Sequence, residues 1–258
     1  NCYKKIVDRN QLIYYNIVKL VKCAFIKEKN MKTSAIIVCA GNSTRMNGIN
    51  KILLPLCDSL VIGVTMQAFQ CCEYIHEIII VARESDITEI KKEAERLKIT
   101  KVSAYTEGGS TRQESVVNGI RCISKETQFV AIHDGARPLI KTEHIEKTIK
   151  DASIFGGATL GVPVKDTIKM VDDGLIIDTP PRKSLYITQT PQVFKRDLYF
   201  NGIDFALEHG LDFTDDCQLV EAIGGKVYMT IGDYMNIKIT TPEDIVIAET
   251  LLERRRNV

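Results

Sequence analysis

The chain has 258 residues, 45% of them apolar, enough to bury one large core or two small ones. Its formal charge of +1 is unevenly spread: residues 1–33 carry eight Lys/Arg against two Asp/Glu, which leaves 26 against 31 beyond them. A mildly acidic body without Trp lacks the concentrated positive face that supplies most nucleic-acid affinity, so nucleic acid is excluded as a partner.

The basic leader comes first. Leu12 to Ile26 is apolar but broken by Asn16, Lys19 and Lys22, and it falls short of the roughly 20 residues that cross a bilayer, so no membrane partner is expected. It has no Ser before Ser34 and Arg9 alone as arginine, unlike a transit peptide. Residues 1–31 therefore read as an extension that the fold does not need, with a surface-lying amphipathic helix as the alternative. From Ser34 onward, apolar runs of strand length alternate with segments of helical period, the pattern of an α/β domain with a largely parallel sheet. The predicted strands are 34–40, 77–82, 101–105, 129–134 and 158–164. Helix starts are expected at two capping boxes, Asp86-x-x-Glu89 and Thr111-x-x-Glu114, and at Thr241-Pro242-Glu243-Asp244.

Residues 165–192 break the alternation. An Asp-Asp-Gly turn and a Pro-Pro pair suggest a β arm at about 165–190, which exposes Ile168, Met170, Leu175 and Ile177 unless a second subunit covers them. The domain is expected over 32–253, with 254–258 as a tail. Eight cysteines without a CxxC spacing suit reduced thiols in a cytosolic protein, and the four histidines lack the i, i+4 spacing of a zinc site.

In an open parallel sheet, ligands collect where strands end and helices begin. The first such loop, "GNSTRMNGINK" at 41–51, offers Gly41 for a sharp turn and close backbone approach, with Arg45 and Lys51 as fixed cations, a composition suited to polyphosphate. It is neither a Walker loop, since Ile49 follows Gly48, nor a dinucleotide fingerprint, since Asn42 and Ser43 follow Gly41. A glycine turn with solvated charges would leave the same pattern. In "GGSTRQES", Gly108 and Gly109 allow close approach and Ser115 is placed to bond a base edge, unless the segment is only a well-capped helix. In "HDGARP", Asp134 and Arg137 either form an ion pair or divide the work, with Asp134 facing a metal-phosphate or substrate hydroxyl and Arg137 an anion.

With "AGNSTRM", "NK" at 50–51, "GGSTRQESV", "HDGARP", "PVKDTIK", "QTPQ", "TDD" at 214–216 and "NIKITTPEDI" in order, the chain resembles the 2-C-methyl-D-erythritol 4-phosphate cytidylyltransferases over Lys32 to Leu252. The resemblance implies a doubly wound, Rossmann-like α/β nucleotidyltransferase whose β arm interlocks two subunits of a homodimer in the cytoplasm. It implies transfer of a cytidylyl group from CTP to 2-C-methyl-D-erythritol 4-phosphate, with Mg²⁺ or another divalent cation. Carried over by position, Arg45, Lys51 and Lys238 are the catalytic cations. Ala40, Gly41, Gly109, Arg112 and Ser115 belong to the CTP site. Asp134, Arg137, Thr167, Thr190 and Thr214 line the polyol phosphate site, Arg182 reaches in from the partner subunit, and Asp134 lies near the metal. The family often has alanine where Cys39 stands. A ribitol 5-phosphate cytidylyltransferase and a nucleotide-binding module without catalysis are the two alternatives; "HDGARP" and "PVKDTIK" resemble the methylerythritol enzymes more, and retention of all three cations opposes the module.

Overall fold

A computed structural model describes residues 31–41 and 50–256. The first strand, β1 (Thr33–Val38), lies inside a seven-stranded sheet with β4 (Ile75–Ala82) on one side and β6 (Phe129–Asp134) on the other, both parallel to it. The short β2 (Pro55–Leu56) and β3 (Ser59–Leu60) form a separate antiparallel pair. Beyond β4 lies β5 (Val102–Glu107); beyond β6 come β10 (Tyr186–Lys195), β7 (Gly157–Pro163) and β11 (Tyr228–Ile231). Every neighbouring pair is parallel except those made by β10.

The unbroken apolar runs of β1, β4 and β6 follow from burial on both faces, as parallel strands between helical layers require. Side chains alternate between the layers. Ile37 and Ile80 face a cluster that includes Phe69 of α1 (Val61–Gln70), Ile90 of α2 (Glu84–Arg96), Ile149 of α4 (Thr142–Phe155) and Ala248 of α7 (Pro242–Arg256). Ile36 and Ile79 face the opposite cluster, with Val116 of α3 (Arg112–Ile120), Tyr199 of α5 (Arg196–Glu208) and Leu219 of α6 (Asp216–Ala222). This is the doubly wound arrangement expected. No helix among the described residues is long and apolar enough to cross a membrane. Residues 1–30, which hold most of the leader, lie outside the described residues.

The structure corrects three expectations. The arm is shorter than 165–190: β8 (Met170–Asp172) and β9 (Leu175–Asp178) pair only with each other, and the chain returns to the main sheet at Tyr186. Asp173 and Gly174, both at positive φ, make the two-residue turn between them, and the Asp-Gly sequence serves because type I′ geometry needs positive φ at both positions. Second, Thr188 to Phe194 belong to a central strand despite Pro191. The pairing of β10 with β7 shifts register between Thr188 and Gln192, so the proline, which has no N–H to donate, sits in the irregularity. Third, Asp86 is no cap. The helix begins at Glu84, and Asp86 lies in its first turn, bound to Arg83 Nε at 2.7 Å. By contrast, Thr111 accepts from Glu114 N, and α7 starts at Pro242, as expected.

Candidate active site

The carboxyl ends of β1, β5 and β6 are brought together by glycines that remove side-chain bulk. A Cβ on Gly108 would strike the Ala40 side chain, and one on Gly135 would strike Cys39 Sγ, so the loops after β5 and β6 close against the end of β1 only because these positions are bare. Gly109 N donates to Ser115 Oγ at 3.0 Å, and Ser115 in turn donates to Thr111 O at 2.9 Å. The serine hydrogen is thus used inside the turn, while the serine oxygen holds the Gly109 backbone. Ala40 and Gly41 stand at the mouth of this cleft; Arg45 lies outside the described residues. Lys51, half-buried, opens a short 3-10 turn, Lys51–Leu53, whose start is capped by Asn50 Oδ1 accepting from Ile52 N.

Asp134, the last residue of β6, is the electrostatic centre. Lys238 Nζ lies 2.9 Å and Arg137 Nε 3.3 Å from its Oδ2, while Arg112 Nε lies 3.8 Å from Oδ1. Burial alone would raise the carboxyl pKa; the coulombic pull of Lys238 first, then Arg112 and Arg137, holds it well below the ordinary carboxylate range. Arg112 also bonds Asp216 Oδ2 through Nη2 at 2.6 Å, and the Tyr199 hydroxyl donates to Asp216 Oδ1 at 2.5 Å. Desolvation works against the Arg112 charge, but Asp216 and Asp134 more than offset it. Three cations thus meet two carboxylates. Among them Lys238 is the most accessible, with 39% of its side chain exposed against 13% for Arg137 and 27% for Arg112.

A second network aims the Asp134 end of the strand. Asp134 N donates to Thr190 Oγ at 3.1 Å, and Thr190 Oγ lies 3.0 Å from His133 Nδ1. His133 Nε2 is 3.3 Å from Arg137 O, which can only accept, so Nε2 carries the imidazole proton and Nδ1 accepts from Thr190. His133 is fully buried and packs on Phe69 with ring centroids 4.8 Å apart. Burial pushes its pKa down to about 3, which keeps the ring neutral. Asn236, 1% exposed, donates to Thr190 O at 3.1 Å, and its own carbonyl accepts from Arg137 Nη1 at 3.0 Å.

Of the predicted residues, the fold gathers Asp134, Arg137, Thr190, Lys238 and Arg112 into one cluster, with Ala40, Gly41 and Gly109 in the adjoining loops and Ser115 in the first turn of α3. Arg112 turns from the base-side loop toward the two aspartates. Thr214 is exposed on the rim of a cavity of about 210 Å³, also lined by Thr159, Thr188 and Asp215, where its hydroxyl donates to Gln218 Oε1 at 3.0 Å. Thr167 and Arg182 are exposed on the arm, and Arg182 Nη1 donates to Lys165 O at 2.6 Å. Sequence reasoning missed His133, Gln192, Asp216 and Asn236, although all four lie in the blocks "HDGARP", "QTPQ", "TDD" and "NIKIT". Gln192 bridges two of these blocks, accepting from Asp216 N at 2.9 Å and donating to Asp215 Oδ2 at 3.2 Å.

A Rossmann-like sheet with this cluster at its strand ends defines an α/β nucleotidyltransferase. The chain belongs to the 2-C-methyl-D-erythritol 4-phosphate cytidylyltransferase family, whose model matches residues 33–254. It is 47% identical over 228 residues to the enzyme of that name from Caldanaerobacter subterraneus subsp. tengcongensis, covering 87% of this chain and all of the relative. The Clostridium novyi enzyme of the same name is 43% identical over 225 residues, covering 86% and 97%. Among solved structures, 4-diphosphocytidyl-2C-methyl-D-erythritol synthase from Anaerococcus prevotii superposes with a TM-score of 0.77 at 32% identity, covering 87% of this chain and 99% of that one.

Proposed function

We infer that the chain transfers a cytidylyl group from CTP to 2-C-methyl-D-erythritol 4-phosphate, giving 4-diphosphocytidyl-2-C-methyl-D-erythritol and pyrophosphate in isoprenoid precursor synthesis. An oxygen of the acceptor phosphate attacks the α-phosphorus of CTP; a new P–O bond forms as the bond to the β-phosphate breaks. The attacking phosphate is already anionic at neutral pH, so no nucleophilic side chain is needed. Catalysis rests on alignment and on offsetting charge that builds at phosphorus. Family membership across residues 33–254 supports this reading, and one geometric observation carries it: Lys238, Arg137 and Arg112 surround Asp134 and Arg112 also pairs with Asp216, so three cations against two carboxylates leave one positive charge in excess beside the glycine-cleared loops.

In this reading Arg45, Lys51 and Lys238 bind the triphosphate and the developing charge. Ala40, Gly41, Gly109 and Ser115 shape the cytosine side, and Asp134, Arg137, Thr190 and Thr214 hold the polyol phosphate. Arg112 keeps Asp134 ionised and ties it to Asp216. Mg²⁺ would neutralise charge on the phosphates. Both Asp134 oxygens face cations, and the described residues contain no group of three or more His, Cys, Asp or Glu able to hold a metal, so the ion would be held mainly by phosphate oxygens and water. The arm would join two copies in a homodimer, bringing Thr167 and Arg182 of one to the site of the other. A cytoplasmic enzyme suits the free thiols of Cys39, Cys71, Cys72, Cys122 and Cys217.

The test is pyrophosphate release with CTP and each of two acceptors. Turnover is expected with 2-C-methyl-D-erythritol 4-phosphate and not with ribitol 5-phosphate. The opposite preference would reassign the polyol pocket, and no release with either would leave only a nucleotide-binding module.

A further inference from the structure

Residues 232–239, between β11 and α7, carry Lys238 and are pinned along one side. Gly232 N donates to Gly161 O at 2.9 Å, Gln189 Nε2 to Asp233 O at 2.8 Å, Asn236 Nδ2 to Thr190 O at 3.1 Å, and Ile239 N to Ala136 O at 2.8 Å. These bonds join the segment to the sheet and to the loop after β6. Tyr234 makes an attachment on the side of the arm. Its hydroxyl donates to the carbonyl of Pro163, the last residue of β7, at 2.6 Å. Lys165 Nζ, on the leg of the arm that leaves β7, stands 3.6 Å from the ring centroid. Arg182, on the returning leg, holds the Lys165 carbonyl at 2.6 Å. The outgoing leg of the arm therefore meets one aromatic ring, with the returning leg tied to it through the Lys165 carbonyl, four residues from the ammonium that touches Asp134. Tyr234 is 42% exposed, so this attachment is directional, made by a hydrogen bond and a cation over the ring face.

We propose that Tyr234 is a positioning residue: it clasps the root of the arm to the segment that carries Lys238, so that the placement of the arm sets the placement of that cation. The proposal rests on the reading of the site given above. It means that a subunit whose arm is not seated has a misplaced Lys238, which links assembly to turnover without any contact between Tyr234 and substrate.

The experiment compares Tyr234→Phe and Tyr234→Ala in the full chain and again in a Lys238→Ala background, by single-turnover pyrophosphate release with melting temperatures alongside. Removing one well-aligned hydrogen bond from the clasp is expected to slow turnover about 3- to 10-fold for Tyr234→Phe, and more for Tyr234→Ala. In the Lys238→Ala background the same changes are expected to alter the rate by less than about two-fold, because the group they place is gone. An equal penalty in both backgrounds, which a purely structural role would give, overturns the proposal, as does no penalty in either. Amide hydrogen exchange of residues 232–239 reads the clasp without substrate. Faster exchange in Tyr234→Ala supports it and unchanged exchange overturns it, even if the wild-type chain releases no pyrophosphate and the functional reading falls.

Discussion

Protonating His133 would set an Nδ1–H against the hydroxyl hydrogen of Thr190, at a fully buried ring. Its folded pKa of about 3 lies below the value of roughly 6.5 in an unfolded chain, so the unfolded state binds the extra proton first. Stability conferred by the neutral ring is therefore complete above pH 6.5 and is lost as pH falls from there toward 3. One such proton corresponds to a slope of about 1.4 kcal/mol per pH unit. His144, also shifted down by burial, titrates in the same direction, so the comparison must be made by variant. Denaturant melts between pH 6.5 and 4 are expected to show a shallower loss of stability for His133→Gln than for the wild type; parallel slopes would contradict the assignment. Asp134 and Arg137 were legible from the chemistry of their own motif, and Thr190 and Lys238 only through the resemblance. The sequence could not show His133 as their support, since that role comes from Thr190 and the Arg137 carbonyl, which only the folded chain places beside it.

Among the elements, the parallel strands were readable because burial on both faces leaves a continuous apolar signature, and β6 was bounded correctly at Phe129 and Asp134. β10 was hidden by its own composition: Thr188, Gln189, Thr190 and Gln192 are polar, and Pro191 argues against a central strand. Of these, Gln189, Thr190 and Gln192 are buried in the sheet because they serve the site, with Gln189 on Asp233, Thr190 on His133 and Gln192 on Asp216. The arm was legible as a hairpin from its Asp-Gly turn, though not in length, since its returning leg runs straight into β10. Leu175 and Ile177 on β9 are 72% and 61% exposed, and among the described residues nothing covers them. The wild-type chain is expected to run as a dimer in size-exclusion chromatography with light scattering, and Leu175→Asp with Ile177→Asp as a monomer of reduced turnover. A wild-type monomer, or a charged variant that stays dimeric, would remove the arm from the interface.

At the scale of the molecule, the fold converts sequence distance into charge density. Arg112 begins a helix after the loop following β5, Arg137 follows β6, and Lys238 comes from the segment between β11 and α7, yet all three reach the carboxylate of Asp134. Such crowding has no structural necessity. A buried carboxylate needs one partner, and gathering like charges costs stability unless an anion is to be received. Lys238 is the exposed member of the group, the one able to leave Asp134 for an incoming phosphate. The most direct measurement is therefore pyrophosphate release by Lys238→Ala with CTP and 2-C-methyl-D-erythritol 4-phosphate. The account predicts a fall in kcat/KM of roughly 10²- to 10³-fold with a melting temperature close to that of the wild type. Turnover within about two-fold of the wild type would contradict it, because transition-state charge would then be met by groups other than this cluster.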